Sequence, residues 1–108
     1  MIDLLEKINA LLATSKLLGS SKSDLDQIEN TLTDGYACAL SLDAEQWRIE
    51  KRISEVAQEI QHGDTAKKVV ELGTLASRRD QNARDLLKLR LLLTELRRHA
   101  DDARLAAF

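Results

Sequence analysis

The sequence predicts an all-α protein: a three-helix antiparallel bundle with the two long helices extending as a coiled-coil hairpin. Three observations carry this. The 108 residues include no proline and only four glycines, too few turn formers for a sandwich or barrel, which needs one about every ten positions. Phe, Tyr and Trp occur once each, so the aromatic residues that strands favour are scarce. The composition is 44% hydrophobic and 31% charged, and its apolar residues recur at alternating three- and four-residue spacings, the period of a helix face. The length fits one helical domain over residues 1–108.

The first helix is expected over about residues 3–18. Ile2 precedes it, Asp3 can cap it, and Gly19 can close it. Leu4, Leu5, Ile8, Leu11, Leu12 and Leu18 form its apolar stripe. Small polar residues then make a turn at Gly19-Ser20-Ser21-Lys22.

The second helix is expected over about 24–62, with Ser23 as its N-cap. Asp24 and Asp26 fall in the first turn, where negative charge suits the helix dipole. Leu25, Ile28, Leu32, Gly35, Ala39, Leu42, Gln46, Ile49, Ile53, Val56 and Ile60 follow a seven-residue repeat, the pattern of a coiled-coil seam. Asp34-Gly35 resembles a hairpin turn, but the register passes through it unbroken, so the helix is kept continuous. Gly35 then costs about 1 kcal/mol against alanine and lets another helix approach closely.

His62-Gly63-Asp64-Thr65 ends this helix and starts the third. Gly63 stops one helix, and Asp64 or Thr65 caps the next. The third helix is expected over about 65–106, with a seam of Leu72, Leu75, Arg79, Asn82, Leu86, Leu89, Leu93, Leu96, Ala100 and Ala103. So short a turn makes the two long helices antiparallel. Residues whose numbers sum to about 126, twice the position of Gly63, should then face each other. Gln46 meets the level of Arg79 and Asn82, a polar layer expected to set register rather than add stability.

The first helix should fold back over the start of the second and the end of the third. Leu87, Leu91 and Leu92 widen the apolar arc there, and a wide arc needs two neighbours. Cys38 is expected as a small buried thiol on that face. Tyr36, Leu40, Ala44 and Trp47 make a second apolar stripe on the middle helix, its lower part covered by the first helix. Trp47 lies at the edge of that cover. It is the candidate interface anchor, with Tyr36, Leu40, Ile49 and Ile53 as companions, since Trp is enriched in binding hot spots.

Charge bounds function. Residues 1–63 hold 6 Lys/Arg against 11 Asp/Glu, and residues 64–108 hold 10 against 7. An acidic helix beside a basic one, held by interhelical pairs, explains the asymmetry. The alternative is a nucleic-acid-binding hairpin using Lys67, Lys68, Arg78, Arg79, Arg84 and Lys88, but the net charge of −2 does not favour it. One cysteine allows no disulfide within the chain and no thiol zinc site. His62 and His99 stand at opposite ends of the hairpin and cannot share a metal. No nucleophile–base–orienter set or phosphate loop is present, and Glu59 with His62 makes a single Glu-x-x-His pair where the di-iron bundle pattern needs two. The expectation is therefore no enzyme, no cofactor and no metal. The apolar runs are too short to span a membrane, and the lone thiol and absent signal peptide point to the cytoplasm. What remains is a protein–protein interaction module, adaptor or scaffold, that self-associates as a homodimer.

Overall fold

The computed structural model describes residues 2–18, 22–63 and 65–107. The molecule is all-α, with helices α1 (Ile2–Leu18), α2 (Lys22–Gln61) and α3 (Ala66–Ala107) and no strand among the described residues. Asp3 lies in the first turn of α1 rather than capping it. Helix α2 begins at Lys22, so Ser23 is inside the helix and is not its cap. Gly19, Ser20, Ser21 and Asp64, assigned to turns or caps from sequence, lie outside the described residues. Gly63 has a φ of 113°, the left-handed conformation that glycine takes without a Cβ penalty, and its N–H donates to the Ile60 carbonyl at 3.3 Å. Thr65 opens α3: its carbonyl accepts from the Val69 N–H at 2.9 Å, the first helical bond.

Helix α2 runs unbroken through Asp34-Gly35. The seven-residue register was therefore the better guide than the turn-like dipeptide. Every seam position named on α2 and α3 is buried or half-buried.

The chain divides into two compact units, residues 1–40 with 87–108 and residues 41–86. In the first, α1 joins the start of α2 and the end of α3. Its core holds Leu5 and Ile8 from α1, Ile28, Leu32 and Ala39 from α2, and Leu89, Leu93, Leu96, Ala100 and Ala103 from α3. Gly35 is buried among them, and a Cβ built there would fall inside the Leu93 side chain. Gly35 thus lets α3 pack closely on α2.

Thr31, adjacent to the seam, is fully buried, and its hydroxyl has no hydrogen-bond partner among the described residues. Tyr36 is 41% exposed and Leu40 70%. Burial at Thr31 and exposure at Tyr36 put the cover of α2 on the Thr31 side. The expectation that α1 covers the Tyr36–Leu40 stripe is therefore corrected. So is the one for α3: Leu87 and Leu91 are 61% and 62% exposed, and only Leu92 of that arc is half-buried. Cys38 is half-buried rather than buried.

The unpaired Thr31 hydroxyl makes a test of this core. A buried unpaired polar group costs about 1–3 kcal/mol, and valine keeps the branched shape. Thr31→Val is expected to raise stability by about 1 kcal/mol, read as a higher urea midpoint at unchanged slope. A lower midpoint would mean that the hydroxyl has a partner.

The second unit is the α2–α3 hairpin around Gly63. Ile49, Val56 and Leu75 are its buried centre, with Ile53, Ile60 and Leu72 packed against them. Leu86 and Asn82 are also buried in this unit; its core is still thin, and charge pairs flank it.

Candidate interaction surfaces

Helical spacing decides which charges meet in the hairpin. Arg52 reaches across to Glu71 at 2.8 Å and along its own helix to Glu55 at 3.3 Å and Glu59 at 3.7 Å. Lys68 meets Glu59 at 2.7 Å and Glu71 at 3.9 Å. Farther from the turn, Arg78 meets Glu45 at 2.9 Å, and Arg48 meets the other oxygen of the same carboxylate at 2.9 Å. The cross-helix pairs 52/71, 59/68 and 45/78 each fall within three of the sum that a fold about Gly63 requires.

These contacts shift protonation. The Lys68 ammonium holds the Glu59 carboxyl below its ordinary value, and Arg48, then Arg78, do the same for Glu45. Hydrogen bonds to carboxylates, Glu71 for Arg52 and Glu59 for Lys68, raise both cations. A carboxyl lowered in the folded state contributes stability above its unfolded value and loses it as pH falls through the folded one. The cross-links therefore serve at neutral pH and fail in acid. Most of their members are half-buried, still open enough to water that each pair is individually weak.

The polar layer takes a narrower form than the sequence implied. The Asn82 Nδ2 donates to the Leu42 carbonyl at 3.0 Å and to Gln46 Oε1 at 2.8 Å. Gln46 Nε2 turns outward to Glu50 at 3.4 Å. Arg79 is not part of the layer; its guanidinium pairs with Asp80 at 3.6 Å.

The interface candidates separate. Trp47 is 62% exposed, and the Lys51 ammonium sits 5.2 Å from its ring centroid, within reach of a cation–π attraction. Ile49, by contrast, is buried in the hairpin's own core, and Ile53 packs against that core. Neither has a free face like that of Trp47. The sequence treated them as companions because position along α2 says little about side; one residue's step turns a helix by over a quarter of a circle.

The basic face proposed for nucleic acid is partly neutralised. Lys68, Arg78 and Arg79 are each paired with a carboxylate. A phosphate-tracking stripe needs its charges available for counterion exchange. His62 is exposed and His99 half-buried. Among the described residues no group of three His, Cys, Asp or Glu side chains is placed to hold a metal ion, and no helix is long and apolar enough to cross a membrane.

A second surface, in the first unit, was not read from sequence. It is a groove of ≈ 320 Å³ between α2 and α3. Leu32 and Ala100, both buried, form its floor. Glu29, Thr33 and Tyr36 line one wall, and Arg97, Asp101 and Arg104 the other. Arg104 takes both carboxylates, Glu29 through two nitrogens, Nε at 3.0 Å, and Asp101 at 3.5 Å. Arg97 instead donates from Nη1 to the Tyr36 hydroxyl oxygen at 3.4 Å, and that bond raises its already high pKa. The signal was present in principle: Glu29 and Tyr36 are one heptad apart on α2, as Arg97 and Arg104 are on α3, all beside the seam.

No family model matches the chain, and comparison with curated proteins and with solved structures found no match either.

Proposed function

We propose that the chain is a protein–protein interaction module that self-associates through the hairpin surface around Trp47. The exposed Trp47 ring carries this reading. A residue of that size left 62% exposed forgoes much of the burial that enriches tryptophan among the anchors of protein contacts. The thin core of the hairpin is a second support. So narrow a core gains from further apolar cover, and a second copy supplies it two-fold symmetrically.

The expected contact is Trp47 with the stem of Lys51, without Ile49. Trp47→Ala should weaken self-association by about 2–4 kcal/mol, roughly 30- to 1,000-fold in Kd, while helix content and melting temperature of the monomer hold. Sedimentation velocity over a concentration series reads both states. A parent chain that stays monomeric throughout the series, or an association constant unmoved by Trp47→Ala, sinks the proposal. Salt-sensitive retention on immobilised nucleic acid would favour the alternative reading instead.

A further inference from the structure

We infer that the groove of the first unit is a binding site for a carboxylate carried on an apolar group, with Arg97 and Tyr36 as the donors. The two side chains are arranged as a donor pair. The Tyr36 oxygen accepts from Arg97 Nη1, so the phenol's own proton is directed elsewhere. The guanidinium keeps further N–H groups, since it carries five and accepts nothing. Two adjacent groups that both offer protons lack an acceptor between them, and a carboxylate has the planar, two-oxygen shape that matches the guanidinium fork.

The remaining residues suit the same ligand. Glu29 and Asp101 would repel an anion, but Arg104 engages both. Arg97 has a neutral hydroxyl as its hydrogen-bond partner; the Asp101 carboxylate acts on it through space, more weakly than Tyr36 does, and its remaining N–H groups bring the charge that recognises a carboxylate. Leu32 and Ala100 beneath offer an apolar floor for the rest of the ligand. The groove, at ≈ 320 Å³, lies at the lower end of the roughly 300–1,000 Å³ typical of small-molecule sites. It fits one apolar side chain with its carboxylate, whether a free acid or the end of a peptide.

The test is an NMR titration of the full chain with N-acetyl-leucine, with N-acetyl-leucinamide as the neutral control. Saturable shifts at Tyr36, Arg97 and Ala100 with the acid and not the amide are expected. Arg97→Gln should weaken binding at least about tenfold, the order of one charge-assisted hydrogen bond, and Tyr36→Phe by a smaller factor. Both side chains are exposed, so melting temperatures should stay at the parent value. A tetrapeptide ending in leucine separates the sources: tighter binding than the free acid identifies a protein C-terminus, equal binding a small free acid. Equal shifts with acid and amide, absence of saturation, or indifference to Arg97→Gln overturns the inference.

Discussion

Gly35→Leu is expected to destabilise the protein by about 3 kcal/mol, the upper range for overpacking a filled core. A Cβ alone at this position would already fall inside the Leu93 side chain, with the Leu93 Cγ at 3.3 Å. Leu93 is itself buried and has little room to turn away. The gain of about 1 kcal/mol from replacing a helix glycine is too small to offset the clash. Gly73 provides the contrast. It is also inside a helix, but nothing lies within 4 Å of its Cβ position, so Gly73→Ala should stabilise by about 0.5–1 kcal/mol. Leu93→Ala, which alone costs about 2–5 kcal/mol, should cost much less in the Gly35→Leu background because it makes the missing room. Chemical denaturation of the four chains of this cycle reads the coupling. Equal cost of Leu93→Ala in both backgrounds would show that the two sites do not touch.

Asn82→Asp is expected to cost about 3 kcal/mol at neutral pH. The Asn82 amide donates to two oxygens, the Leu42 carbonyl and Gln46 Oε1. A carboxylate in its place only accepts, so it would face two acceptors in a buried site. Burial and those acceptors raise the folded pKa of the introduced acid above its unfolded value of about 3.9. Below about pH 4 the acid is protonated in both states and its O–H can donate, so the penalty is absent. It grows as pH rises toward the folded pKa and is constant beyond. The difference in unfolding free energy between variant and parent, measured at each pH, isolates this from the other carboxylates. A difference independent of pH would remove Asn82 from the buried layer. Replacing Asn82 and Gln46 together with leucine leaves no buried polar atom unpaired, because the Leu42 carbonyl keeps its bond within α2. That pair should raise the melting temperature.

The seam was legible because a helix repeats its contacts every seven residues, and that periodicity is local. Gly35 shows how far it reaches: the repeat predicted both the unbroken helix and the close approach. Asn82 opposite Gln46 was legible because one glycine turn fixes a hairpin's register. The side on which α1 packs was not. Tyr36, Leu40, Leu87 and Leu91 are apolar, and the sequence treats each as a residue awaiting cover, yet all four are exposed. Choosing a side depends on which competing face buries more area, and no single helix encodes that. The groove escaped for a related reason. Its pairs, Tyr36 with Arg97 and Glu29 with Arg104, join residues 61 and 75 positions apart, and charge sign alone does not select one such pairing among many.

Those separations also set the order in which the chain assembles. In the hairpin, Arg52 and Glu71 are 19 positions apart, against 75 for Glu29 and Arg104. Closing the longer loop first costs about 1.2 kcal/mol more in chain entropy. Once the hairpin has zipped outward from Gly63, the loop left for the first unit to close is shorter, so the long-range contacts follow at a lower cost. Residues 41–86 should therefore act as the folding nucleus, and proteins whose contacts are this local fold fast. Pulse-labelled hydrogen exchange during refolding should find their amides protected before those of residues 25–40 and 87–103. Protection appearing first in the latter would reverse the order.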